Sequence, residues 1–317
     1  MGKIFDALEK SKKERIVTIP TNEAPDIIVN DQPEKQEASS DKVAFLNKDN
    51  KPFVFSYEAH DNVEDDKHEK QVASFEAGET LYNDNNIDEK LITLLKPQSF
   101  EAEQFKLLRT HLLFPASGKP ARSIMVTSTI MDEGKSFIAA NLAISIAQNI
   151  QEHVLLVDCD MRMPCIHTLF GFGDVPGLSE LLSNDIPLSS MLLKTKVNKM
   201  SILPGGKPPH NPSELLSSQQ MSKLLEEVKD RYSDRYIIID SPPSKLTAEA
   251  NVIARQVDGI ILVVRYGKTN REVVKDIIKI LGKEKILGVV LNRFDMRPSS
   301  YYGYRKYSKY GKYYGKY

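Results

Sequence analysis

Five short apolar runs, at 124–126, 154–157, 237–239, 260–264 and 287–291, stand out along a mostly polar chain. None alternates with polar residues, so each predicts a strand covered on both faces, as in a parallel sheet flanked by helices. The segments between them supply the helices. Over 102–114, Phe105, Leu108 and Leu112 share one helical side, and 136–147 reads as a second helix directly after a strand and loop. A third starts at Asn211-Pro212-Ser213-Glu214, where Asn caps, Pro suits the first turn and Glu sits three residues on. Met221, Leu224, Leu225 and Val228 then give another apolar face. The pattern predicts one doubly wound α/β domain over 96–294.

Outside that domain the periodicity fails. Residues 1–17 place Met1, Ile4, Phe5 and Leu8 on one helical face, which reads as a solvated helix or a docking helix for a partner or membrane surface. From 18 to 95 the chain is polar, aperiodic and acidic around Glu64-Asp65-Asp66, the composition of a disordered linker. The segment 295–317 reads as a tail with no aliphatic residue after Pro298. It carries eight of the chain's thirteen tyrosines: Tyr301, Tyr302, Tyr304, Tyr307, Tyr310, Tyr313, Tyr314 and Tyr317. Five positive charges, Arg305, Lys306, Lys309, Lys312 and Lys316, lie among them. A packed core has no use for such a segment.

Charge and cysteine content narrow the class. Forty-three basic and forty-three acidic residues cancel, so no global field argues for nucleic acid. Two cysteines, Cys159 and Cys165, are too few for a disulfide framework or a zinc site and point to a reducing cytoplasm.

The candidate chemistry lies at strand ends. After the first run comes Ser128-Thr129-Ile130-Met131-Asp132-Glu133-Gly134-Lys135-Ser136, leading straight into a helix. Strand, loop, Gly-Lys-Ser and helix are the parts of a phosphate-binding loop, in which backbone N–H groups face the anion. Lys135 would reach the β- and γ-phosphates of ATP, and Ser136 would hold Mg²⁺. Thr129, Asp132, Glu133, Gly134, Phe137 and Arg162 complete the expected nucleotide-binding set. Thr129 stands where the usual pattern has its first glycine. The second run ends in Asp158-Cys159-Asp160-Met161-Arg162, the third in Asp240-Ser241-Pro242-Pro243. Carboxyl ends of parallel strands line the ligand crevice of a doubly wound sheet, so three carboxylates are expected to converge at the metal and γ-phosphate.

In combination these motifs resemble the bacterial tyrosine autokinases of capsule and exopolysaccharide assembly, in their stand-alone cytoplasmic form. The resemblance covers 97–317 and rests on the modified Walker A loop 128–136, LLVDCDMRMP at 155–164, IIIDSPP at 237–243 and the tyrosine cluster. LPGGKPPHNPSELL at 203–216 and ILGVVLNRF at 286–294 are also similar. It implies a P-loop nucleotide-hydrolase fold of MinD/ParA type and Mg-ATP-dependent phosphorylation of the tail tyrosines. Lys135, Asp158, Asp160 and Asp240 would be catalytic, with Ser136, Asp158 and Asp240 at the metal and Asp158 activating the tyrosine hydroxyl. It further implies rings of subunits that phosphorylate each other, through a motif matched here by Glu103, Lys106 and Arg109. Lys106 replaces an arginine of that motif and loses bidentate pairing. The implied partners are a membrane-embedded chain-length regulator that recruits the protein to the inner face of the plasma membrane, and a cognate phosphotyrosine phosphatase. Two alternatives stay open: a MinD/ParA-like ATPase switch, against which the absence of lysine from 128–133 counts, and a binding module that uses the Lys-Tyr tail.

Overall fold

The computed structural model describes residues 86–293 apart from Asp185, 232–234 and Leu246, together with short strand segments at 40–41, 44–46, 52–54 and 57–58. Each of the five apolar runs lies within a strand. In chain order the strands of the domain are β1 (Ser123–Ser128), β2 (His153–Asp158), β3 (Leu193–Lys194), β4 (Met200–Leu203), β5 (Arg235–Asp240), β6 (Gly259–Arg265) and β7 (Ile286–Asn292). They are ordered β7-β6-β1-β5-β2-β4-β3. All neighbours are parallel except β3 and β4.

The uninterrupted apolar runs have a simple cause. Successive side chains of a strand point to opposite faces, and in β1, β2, β5 and β6 both faces are dry. Along β7 buried positions alternate with half-buried ones, so the expected full cover fails there. Ile124, Val126, Leu156 and Ile238 enter one core cluster, whereas Met125, Leu155, Val157, Ile237 and Ile239 enter the other. The first cluster is roofed by α1 (Ile92–Leu95), α2 (Phe100–Leu113) and α3 (Lys135–Ala147); residues 138–147 of α3 are all buried. A helix apolar all round is a helix buried all round. Phe137 at its start meets Phe105 edge to face, with ring centroids 5.8 Å apart. The opposite cluster is covered by α8 (Gln219–Arg231), α9 (Glu249–Gln256) and α10 (Arg271–Leu281). Four short helices, α4 (Ile166–Leu169), α5 (Leu178–Ser183), α6 (Leu188–Met191) and α7 (Pro212–Leu216), punctuate the connections.

Several boundaries differ from expectation. The packed chain begins before residue 96: Leu91, Ile92 and Thr93 are buried, and the Asn141 side chain bonds both Thr93 N (2.9 Å) and Lys90 O (2.9 Å). Inside the expected linker, Ala44–Leu46 pairs antiparallel with β7, and Pro52–Val54 pairs with Ala44–Leu46. Asn211 precedes α7 but its side chain makes no capping bond. The expected helix over 1–17 and the tail 295–317 lie outside the described residues. Among the described residues no helix is long and apolar enough to cross a membrane.

Candidate nucleotide site

Strand register sets the site. Asp158 and Asp240 are the last residues of β2 and β5 and stand directly opposite each other; Asp240 also pairs with Val126, two residues before the end of β1. The loop Ser128–Ser136 therefore springs from the sheet beside two buried carboxylates, both 0% exposed.

The loop's backbone explains its sequence. Gly134 has φ +87°, and a Cβ there would lie 2.0 Å from Asn292 Nδ2, so only glycine fits. Asp132 also has positive φ, 60°, a region that Asp tolerates better than most residues. Its side chain is exposed. The first half of the loop is pinned from two sides. Ser244 N and Lys245 N donate to Ser128 O (2.8 Å) and Thr129 O (3.2 Å), while Thr127 Oγ1 reaches Pro242 O (3.0 Å) and Ser244 Oγ (2.9 Å). On the other side, Glu133 Oε2 accepts from Thr129 N (2.6 Å), Thr129 Oγ1 (2.8 Å) and Ile130 N (3.0 Å). The second half opens α3, and no side chain caps that helix. The N–H groups of a first turn have no partner within their helix and carry the positive end of its dipole, so they face the loop's concavity ready for an anion.

Lys135, the first helical residue, donates to Asp160 Oδ2 at 2.9 Å and lies 3.4 Å from Ser136 Oγ. Burial lowers its pKa, but Asp240 and Asp160 more than offset this, and the group stays above the usual lysine value. Asp158 is an acceptor for three backbone N–H groups: Asp160 (3.1 Å) on Oδ1, and Cys165 (2.9 Å) and Ile166 (3.0 Å) on Oδ2. Burial, then the charge of Asp240, still raises its pKa. Asp240 is also raised by burial, against the pull of Lys135 and the Ser136 hydroxyl. Neither Asp240 oxygen has a donor in good hydrogen-bond geometry, although the Ser136 hydroxyl and the Ser241 N–H lie close enough to lower its pKa.

The structure thus brings Lys135, Ser136, Asp158, Asp160 and Asp240 together. The three carboxylates expected to converge do lie within reach of one another's charge, and among the described residues no three His, Cys, Asp or Glu side chains form a ready-made metal cluster. Asp160 answers Lys135 and Asp158 anchors the following loop. What remains, Asp240 with two orphaned buried oxygens beside the Ser136 hydroxyl, fits a magnesium ion. That ion keeps several waters and takes few protein ligands.

Other expected nucleotide ligands face elsewhere. The Thr129 hydroxyl and the Glu133 carboxylate bond each other, and Phe137 packs on Phe105. Arg162 gives Nε (2.9 Å) and Nη2 (2.7 Å) to Oε1 of Glu249, which is 1% exposed at the start of α9. Of the expected subunit-contact set, Lys106 bonds Glu103 (2.5 Å) and Pro97 O (3.1 Å), while Arg109 donates to Ser145 O (2.7 Å) on α3. The eight tail tyrosines lie outside the described residues. Sequence reasoning missed Ser244, Glu249, Thr269 and Asn292. Asn292 carried a usable signal, since a polar residue closing an apolar run is what marked Asp158 and Asp240. Its side chain donates to Glu133 O at 2.8 Å.

Comparison with known proteins agrees with this geometry. Residues 124–310 match the family described as "CobQ/CobB/MinD/ParA nucleotide binding domain". The tyrosine-protein kinase YwqD of Bacillus subtilis (strain 168) is 33% identical over 222 residues, covering 69% of this chain and 92% of the relative. Among solved structures, the chimerical protein CapA2B2 superposes with a TM-score of 0.61 at 34% identity, covering 66% of this chain and 91% of that one. The kinase domain of the Escherichia coli tyrosine kinase ETK gives 0.60 at 30% identity, covering 65% and 82%. With its phosphate loop and strand-end acids in place, the chain belongs to the CobQ/CobB/MinD/ParA nucleotide-binding family and, within it, to the bacterial tyrosine-protein kinases.

Proposed function

We propose that the protein is an ATP-dependent tyrosine autokinase that phosphorylates its own C-terminal tyrosine cluster, between subunits, in the synthesis and export of a capsule or exopolysaccharide. The observation that carries this reading is the pairing of Lys135 with Asp160 beside the unpartnered Asp240, on a chain ending in eight closely spaced tyrosines. Uncapped N–H groups at the start of α3 and the Lys135 ammonium would take the phosphates, Lys135 exchanging Asp160 for phosphate oxygen. Ser136 and Asp240 would hold Mg²⁺, which neutralises charge on the transferring phosphoryl group. Asp158, whose raised pKa suits a proton acceptor, would take the proton of the incoming tyrosine hydroxyl. The tyrosine oxygen then bonds the γ-phosphorus as the bond to the bridging oxygen breaks and ADP leaves.

The tail's point of departure supports the reading. Asn292 closes β7 and touches the phosphate loop. Tyr301 follows nine residues on, a contour of about 30 Å at full extension, which spans one domain or reaches a neighbour. Each phosphate would add about −1.5 to −2 charges. Three or four turn a tail of five positive charges neutral or negative, and a carboxylate-lined crevice then releases it. The membrane-embedded regulator and the phosphatase enter as the partners such a cycle needs, the first bringing the protein to the membrane's inner face.

The test is a phosphotyrosine blot of purified protein with Mg-ATP, beside Lys135→Met and a variant with all eight tail tyrosines changed to Phe. Signal in the parent alone is expected, with a rate per molecule that rises with protein concentration. Phosphate release without labelled tyrosine, activator present, overturns the kinase reading in favour of an ATPase switch.

A further inference from the structure

Glu133 precedes the loop's glycine, yet its carboxylate is 1% exposed and turned beneath the loop. The positive φ values on either side, at Asp132 and Gly134, fold the backbone around it. While Oε2 gathers Thr129 and Ile130, Oε1 accepts from Arg265 N (3.3 Å) and from the Thr269 hydroxyl. Thr269 Oγ1 in turn accepts from Arg265 N at 2.9 Å. These last groups, Arg265 at the end of β6 and Thr269 in the segment leading to α10, lie 132 and 136 positions away in sequence. The Glu133 carbonyl is held as well, by Asn292 at the end of β7.

A buried carboxylate next to a polyphosphate opposes binding unless donors neutralise it, and charge-assisted bonds of this kind are the strong ones. Five donors on one carboxylate exceed what local loop geometry requires, and two of them come from another element.

We propose that Glu133 is a positioning residue, which presets the phosphate loop and makes the 265–270 segment part of the nucleotide site, so that moving that segment loosens the loop. The inference rests on the nucleotide-site reading above and adds the element through which the site can be regulated.

The test measures MgADP affinity by calorimetry, and the nucleotide-free thermal midpoint, for the parent, Glu133→Gln, Thr269→Val, Thr269→Ser and the double variant Glu133→Gln/Thr269→Val. Gln keeps the shape but turns an amide N–H toward backbone donors. It is expected to weaken MgADP about 30-fold, and Thr269→Val about 3- to 10-fold. Thr269→Ser should restore the affinity, and the double variant should be within about twofold of Glu133→Gln because the bond is already broken. Lower midpoints with unchanged MgADP affinity in the folded proteins would make Glu133 merely structural and overturn the proposal. Should Glu133→Gln fail to fold, equal affinity of Thr269→Val and Thr269→Ser overturns it equally. A parent that binds no MgADP defeats the nucleotide-site reading itself, a different result from a parent that binds and variants that bind alike.

Discussion

Asp158 and Asp240 face each other across neighbouring strands, equally buried, and differ in their partners. Asp158 has three backbone N–H donors and holds the loop from Cys159 to Ile166 in place. Asp240 has none. Burying a charged oxygen without partners costs several kcal/mol, and a fold keeps such a group only where something else supplies the missing interaction. One strand end is tied down by backbone donors, whereas the other presents oxygens without donors, the arrangement that the proposed cation subsite needs.

Substitution breaks this comparison most sharply at Asp240. Asp240→Asn is expected to cut tail phosphorylation by about 10³-fold or more, measured by mass spectrometry, while the nucleotide-free thermal midpoint stays level or rises. Asp158→Ala should do the reverse in stability. It orphans three N–H groups and is expected to cost about 2–4 kcal/mol in urea unfolding.

Titration sharpens the contrast. Both carboxyls are raised in the fold, so their contribution to stability is complete below the ordinary carboxylate pKa of about 4 and is lost as pH rises through the folded values. Without magnesium, the thermal midpoint should therefore fall between pH 5 and pH 8 more steeply in the parent than in Asp240→Asn. Binding of Mg²⁺ needs the deprotonated carboxylate and should flatten the parent's slope. The smallest effect is expected at Lys106, whose pair with Glu103 is exposed. Lys106→Arg should alter domain stability by less than about 0.5 kcal/mol. If α2 carries the subunit contact, light scattering will show larger assemblies.

How much of this was legible follows from distance along the chain. The central strands announced themselves because both faces are buried, and the loop because Gly-Lys-Ser sits between strand and helix. β3 and β4 did not: two and four residues give no period to read. Leu91 and Ile92 belong to a short apolar run, residues 91–95, that forms a helix of only four residues and shows no period, so the domain's start was placed too late. Glu133 read as a phosphate ligand because its neighbours do. Its distant partners, Thr269 on the carboxylate and Asn292 on the carbonyl, are 136 and 159 positions away and are placed by the sheet, not by local sequence. For the same reason, Arg162 gave no sign of Glu249, 87 positions on.

The most direct measurement is Mn²⁺ titration by electron paramagnetic resonance in the presence of ADP, at a temperature where all proteins are folded. The account predicts that Asp240→Asn weakens Mn²⁺ binding at least about tenfold, whereas Asp158→Asn stays within about threefold of the parent. Retained binding in Asp240→Asn with loss in Asp158→Asn would contradict it.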